Sequence, residues 1–327
     1  MAESSKVFAA WDTVKDALDS LDTSANSSGS GATGAGTVTI GGGDKVISAA
    51  ELVNVAVNGY VVSLDDSVLQ APSLVGTVNA KDHAKTVSMA DVEAMAGKAS
   101  SSFILESNEK HSRVACRAAA FSRIVSLTLA RSGVRGPALS LLVQLVNANV
   151  VPAFTSEAQA GKELCLTLLG SDNVQVYAAN STEKTSAATA LSAVGITPLE
   201  NMSQLEATSL VQGEFLSTGC ACLLALGACN ALQALDGVSA LSCEALGSDI
   251  NSFSAEQFEQ ARQHRGQITS SLNMRLLLEG SKRTGTGDVK GGACVPFLTI
   301  PQVHGPACDA ISGAVKAAEL ELNSSEL

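Results

Sequence analysis

A mainly α fold, with long central bundle helices and a small α/β-edged region towards the N-terminus, is predicted from three features of the 327-residue sequence. Hydrophobic residues make up 46% of the chain, yet it holds only 1 Trp, 2 Tyr and 8 Phe, so the core must be built from Ala, Val and Leu, as in close-packed helices. Apolar residues recur at helical spacing over most of its length, in segments separated by Gly, Pro or Asn. Residues 206–247 are apolar nearly all round with almost no breaker, which predicts one buried helix of about 40 residues, roughly 60 Å long.

Taken in order, Val7, Trp11, Val14, Leu18 and Leu21 alternate steps of four and three and form one stripe of a short amphipathic helix over residues 1–22, expected to dock on a protein surface. Residues 23–45 are Ser/Gly-rich and read as a flexible linker. Within them Gly29, Gly31 and Gly34 match G-x-G-x-x-G, but no strand precedes and no helix follows, so no dinucleotide site is expected. Residues 46–200 form a first folded region, with a capped helix "SAAELVNVAVNG" closed by Gly59, a strand or turn in "YVVSLDDSV", and a second capped start at Ser88. Helices are predicted over 113–131, 137–147, 164–169 and 186–194. Residues 201–327 carry the long helix and two more, "HRGQITSSLNMRLLLEG" and "PQVHGPACDAISGAVKAAELELNS".

The formal net charge of -11 excludes nucleic acid and anionic membranes as electrostatic partners. The 8 Cys show no C-x-x-C and no zinc-like spacing, so they read as buried thiols, and no metal is expected. The stretch "GTGDVKGGA" lacks phosphate-loop spacing and reads as a surface loop. No signal peptide is evident and no run of about 18 apolar residues is expected to span a membrane; an intracellular location, cytoplasmic by default, follows.

Five ordered segments resemble the histidine and phenylalanine ammonia-lyase family: "SGVRGPALSLLVQLVNANVVP", "GITPLENMSQLEATSLVQGEFLST", "ALSCEALGSD", "HRGQI" and "IPQVHGPACDAI", followed by "ELNS". The resemblance implies a truncated aromatic amino-acid lyase-like fold. It also implies an electrophile, a methylidene-imidazolone formed from an internal Ala-Ser-Gly. Counted without a gap, that tripeptide position falls on Lys162, Glu163 and Leu164, and in a shifted register on Gln159, Ala160 and Gly161; Ala-Ser-Gly occurs nowhere in the chain. The family's Asn corresponds to Gln212, its loop Tyr to Val295 and its carboxylate-binding Arg to Leu298, and neither Tyr60 nor Tyr177 lies in a matching tyrosine loop. Retained as scaffold are Ser132, Gly133, Arg135, Pro152, Glu244, His264, Gly266, Gln267, Pro301, Gln302, His304, Gly305 and Asn323.

The expectation is therefore a pseudoenzyme without cofactor, serving as a structural or assembly subunit in a homo- or hetero-oligomer. Its protein partners would bind through the long-helix bundle and the N-terminal helix. The alternative is an ammonia lyase or aminomutase acting on His, Phe or Tyr.

Overall fold

The computed structural model describes residues 36–41, 45–70, 85–95, 112–130, 133–179, 183–261, 263–286 and 295–324. The stripe from Val7 to Leu21 lies outside them, as does most of the tract read as a linker. The described residues fall into two compact units: those from 36 to 224 together with 317–324, and those from 225 to 316.

The first unit begins with a strand where a linker was expected. Strand β1 (Thr37–Ile40) lies inside the stretch read as a linker, pairs in parallel with β2 (Val61–Leu64), and buries Val38 and Ile40. Its Thr-Val-Thr-Ile alternation is a short strand pattern, outweighed in the sequence by the glycines around it. Asn147 mimics a neighbouring strand for β2: Val62 donates its N–H to Asn147 Oδ1 at 2.8 Å, and Asn147 Nδ2 donates to the Val62 carbonyl at 2.9 Å. Helix α1 (Ala49–Ala56) starts from the expected Ser48/Glu51 capping box. At the far end of the chain Asn323 brackets Ile47 in the same way, accepting from its N–H at 2.8 Å and donating to its carbonyl at 2.7 Å, while Glu319 accepts the Ala49 N–H. Glu319 lies in the last turn of a helix that runs from Ile300 to Leu322, and Asn323 directly follows it.

Next come α2 (Asp66–Gln70), β3 (Thr86–Val87) and α3 (Met89–Ala94), the last opened by a Ser88/Asp91 capping box. The centre of the unit is α4 (Arg113–Ala130), whose Cys116, Ala118, Ala119, Phe121, Ile124 and Val125 are fully buried. Helix α5 (Gly136–Asn147) packs beside it; β4 (Val151–Pro152), β5 (Gln175–Tyr177) and β6 (Lys184–Ser186) make a small antiparallel sheet. Helix α6 covers Glu157–Leu168, beginning seven residues earlier than the sequence suggested. Gly161 does not break it, because α6 meets α8 (Gln204–Val211) there. A Cβ on Gly161 would lie 2.5 Å from Val211 Cα and 2.7 Å from the Leu210 carbonyl oxygen. Between them stand α7 (Ala187–Ala193) and β7 (Met202–Ser203), which pairs with β3.

The single long helix predicted over 206–247 is two helices. Gln212 is extended (φ -77, ψ 155) and Gly213 has φ 99, so the ladder stops after α8 and restarts as α9 (Phe215–Leu246). Only glycine adopts that φ without strain. Nor is α9 buried on every side: Leu224 is 70% and Leu241 62% exposed, although Phe215 and Leu216 are buried, as is Leu210 on α8. By length and composition Gln204–Leu246 is apolar enough to cross a membrane, which corrects the expectation that no such run exists; a soluble core helix passes the same test.

In the second unit the C-terminal part of α9 meets a 3₁₀ turn (Ile250–Phe253), a π turn (Glu256–Ala261), α10 (Arg265–Leu277), α11 (Val295–Leu298) and α12 (Ile300–Leu322). Ala240, Cys243, Phe253, Met274, Leu278 and Ile300 form its core.

The Gly161 contact is testable. Alanine is favoured over glycine in a helix by about 1 kcal/mol, but forcing a methyl into backbone costs about 1–3 kcal/mol or more. Gly161→Ala is expected to lower unfolding free energy in denaturant titrations; an unchanged or raised midpoint would contradict the α6–α8 packing.

Candidate functional site

In the first unit the strongest polar feature is the carboxylate of Glu206, which is completely buried. It sits at the third position of α8, where "SQLE" forms a capping box: Glu206 N–H donates to Ser203 Oγ at 3.1 Å and Ser203 N–H donates to Glu206 Oε2 at 2.9 Å. Arg135 adds three donors: its backbone N–H and Nε to Oε1 at 3.0 and 2.7 Å, and Nη2 to Oε2 at 2.7 Å. The retained arginine of "SGVR" thus ties the start of α5 to the start of α8. Burial pushes the Glu206 carboxyl up, but the Arg135 and Ser203 hydrogen bonds outweigh it and hold it below its usual 4.5.

A second acid, half-buried, stands at the start of α6. Glu157 accepts from Leu216 N–H at 3.1 Å, Ser217 N–H at 2.7 Å and Ser217 Oγ at 2.7 Å, placing a carboxylate on the N-terminus of α9, where the helix dipole favours negative charge. Lys162, Glu163 and Leu164 lie in the interior of α6. Leu164 is buried, and Glu163 receives Thr155 N–H and Oγ1 at 3.1 and 2.6 Å. At the α8–α9 break Gln212 is the C-cap, its N–H bonded to the Thr208 carbonyl. Beside it opens a small cavity of about 90 Å³ lined by Ser122, Arg123, Glu214, Phe215, Thr218 and Glu321, among others. Arg123 donates to Ser126 Oγ and to the Ser209 carbonyl, and its guanidinium lies 5.4 Å from the Phe215 ring centroid.

In the second unit Asp236, 6% exposed, gathers three side chains: His304 Nδ1 at 2.7 Å, Ser270 Oγ at 2.9 Å and Asn273 Nδ2 at 2.9 Å. Gln267 and Gln302 keep buried side-chain oxygens with no hydrogen-bond partner among the described residues. "HRGQI" and "QVHG" meet where Gly266 crosses Gly305 with backbone in direct contact. His264 is the N-cap of α10 without a side-chain cap bond, and Glu244 accepts from Ser281 Oγ at 2.9 Å. Leu298 is half-buried on α11, which Val295 opens. Of the residues singled out in the sequence, Arg135, Lys162, Glu163, Leu164, Gln212 and Asn323 fall in the first unit, and His264, Gln267, Val295, Leu298, Gln302 and His304 in the second. Sequence reasoning missed Glu157, Glu206 and Asp236. "SQLE" was a readable capping signature, and Asp236 stands out as an acid in an apolar run.

Burial pushes the Cys116 and Cys165 thiols up to about 12 and Cys222 to about 11, so these are inert core groups. Among the described residues no group of three or more His, Cys, Asp or Glu could hold a metal.

These features define a class: a mainly α scaffold in which a long apolar helix, set off by a glycine turn, is anchored by carboxylates. The chain belongs to the aromatic amino acid lyase family, whose description matches residues 78–326. It is 30% identical over 217 residues to a histidine ammonia-lyase of Caldanaerobacter subterraneus subsp. tengcongensis, covering 64% of this chain and 42% of that protein. It is 29% identical over 241 residues to a tyrosine ammonia-lyase of Cupriavidus metallidurans, covering 65% and 44%. The match thus spans less than half the length of these relatives. A phenylalanine ammonia-lyase of Rhodosporidium toruloides shares the fold with TM-score 0.73 at 21% identity, covering 96% of this chain and 49% of that one. A tyrosine aminomutase of Streptomyces globisporus does so with TM-score 0.72 at 22% identity, covering 88% and 61%.

The expectation that the chain is not an enzyme is overturned by these relatives, which are named histidine and tyrosine ammonia-lyases. The family electrophile nevertheless does not fit the residues present. Ala-Ser-Gly is absent from the sequence. Residues 162–164 lie inside a helix, where the backbone amides are committed to the hydrogen-bond ladder and cannot cyclise.

Removing the charge of Glu206 leaves Arg135 facing a buried neutral amide. With Arg135 partly exposed, Glu206→Gln is expected to cost about 3 kcal/mol, the lower end for a broken buried pair. The carboxyl's folded pKa lies below its unfolded one, so its contribution is present above about 4.5 and is lost as pH falls through the depressed folded value. Acid unfolding of the wild type should therefore show a stability loss below about pH 4.5 that the variant lacks; parallel acid profiles would refute the assignment.

Proposed function

We propose that the chain serves an ammonia-lyase or aminomutase activity on an aromatic amino acid, contributing the part of the lyase fold that it spans. Its family membership over residues 78–326 carries the reading, supported by relatives named for histidine and tyrosine. The cavity at the α8–α9 break suits the head group of an amino acid. Arg123 and the Thr218 and Ser122 hydroxyls complement a carboxylate, Glu214 and Glu321 complement an ammonium, and Phe215 offers a ring face. Full-length protein incubated with His, Phe and Tyr should release urocanate, cinnamate or coumarate, followed in the ultraviolet. Arg123→Lys should raise KM about tenfold or more, because an ammonium cannot reproduce the guanidinium's fork. Absence of turnover with all three amino acids, in protein that is folded, sinks the reading.

Association is the second part of the proposal. On α9, Leu235, Val238, Leu241 and Leu246 are 43%, 57%, 62% and 49% exposed, and an apolar stripe of this kind marks a surface that another protein surface covers. The seven described cysteines are free thiols, which supports an intracellular setting. Light scattering of the purified protein should give an oligomer, and Leu241→Lys should shift it towards monomer; a well-behaved monomer at about micromolar concentration contradicts this.

A further inference from the structure

Two thiols of the second unit stand apart from the other described cysteines. Cys116, Cys165, Cys220, Cys222 and Cys243 are buried, whereas Cys229 on α9 and Cys308 on α12 are only half-buried, within reach of a small solute. The fold sets these two against each other. Asp236 on α9 meets His304 on α12 at 2.7 Å, and further along α9 Ala240 and Cys243 share a core with Ile300, so the two helices run antiparallel here. Cys229 precedes Asp236 by seven residues and so lies on the same stripe of α9, and Cys308 follows His304 by four, on the same stripe of α12. Exposure agrees with that placement: Cys229 and Leu232 are shielded where Ala231 and Gln233 are exposed, and Cys308 and Ile311 are shielded where Asp309 and Ala310 are exposed. At a rise of about 1.5 Å per residue, Cys229 lies about 10.5 Å before Asp236 and Cys308 about 6 Å beyond His304, a stagger of about 4.5 Å, less than one turn. Burial, and then Cys308 itself, push the Cys229 thiol up, and one thiol acts on another in this way only at short range.

We propose that Cys229 and Cys308 form an oxidation site at which a peroxide closes a disulfide between α9 and α12. One thiol attacks the O–O bond of hydrogen peroxide and becomes a sulfenic acid as water leaves. The second thiol displaces the sulfenic hydroxyl, which departs with that thiol's proton as a second water. Two thiols and one peroxide thus give one disulfide and two waters. A disulfide needs Cα atoms about 4.4–6.8 Å apart, a demand that only facing positions on neighbouring helices meet. The bond encloses the chain from the end of α9 through α10 and α11, so it closes a long loop and staples the second unit, and an external dithiol reverses it by exchange. None of this rests on lyase activity, since neither cysteine lines the cavity at the α8–α9 break.

The test treats the full chain with a small molar excess of hydrogen peroxide, alkylates the remaining thiols and maps the peptides without reduction. Residues 229 and 308 should appear in one linked pair, lighter by two hydrogens than its parts, and dithiothreitol should separate them. Cys229→Ser and Cys308→Ser change half-buried positions and should fold as the wild type does; in each, the remaining thiol should carry oxygen instead of a partner. The melting temperature of the oxidised wild type should exceed that of equally treated Cys308→Ser by about 5 °C, and dithiothreitol should remove the difference. Unlinked thiols in treated, folded protein, a link through Cys294 or any other cysteine, or oxidised proteins that melt alike overturns the proposal.

Discussion

The buried carboxylate of Glu206 is the constraint on which the first unit depends. Desolvating an ionised carboxyl costs several kcal/mol unless its lone pairs are filled, and here four donors from Arg135 and Ser203 fill them. Satisfying that one group fixes where α5 begins and where α8 begins. With α8 held, α6 can press Gly161 against its backbone. With α6 held, Glu157 reaches the first turn of α9 and sets the helix that follows the Gly213 turn. A local hydrogen-bonding requirement thus propagates through four helices by contact geometry alone.

The same device recurs. Glu157 on α9, Glu319 on the Ala49 N–H and Glu206 on α8 each put an acid at a helix N-terminus, where unpaired N–H groups and the helix dipole both favour it. Asp236 is the variant without a helix end, held by three side chains from two other helices. A chain with net charge -11 therefore spends part of its acid content on internal order rather than on solubility.

This division explains which family positions persist. Arg135, Asn323, Gly266, Gly305 and His304 each make a contact whose loss would leave a buried polar group unpaired or push backbone apart. Lys162, Glu163 and Leu164 answer to a different constraint: they sit in a helix and pack as helical residues do. Family membership is consequently written in the frame, and the frame is what the comparisons detect.

The mainly α class, the capped starts at Ser48 and Ser88, and the family resemblance could be read from the sequence, because capping boxes, helical periodicity and short motifs are local and their physics acts within a few residues. The break at Gln212 and Gly213 was hidden, since Gln212-Gly213-Glu214 is only a three-residue polar step between two apolar helices, and the positive φ of Gly213 and the hold of Glu157 on the next helix exist only in the folded chain. β1 was hidden in the same way, for a four-residue strand among glycines is stabilised only by a partner 24 residues away. The pairings of Glu206 with Arg135, 71 residues apart, and of Asp236 with His304, 68 apart, were decided by tertiary structure alone. A buried charge takes its partner from whatever the fold brings within about 3 Å, and sequence separation carries no information about that distance.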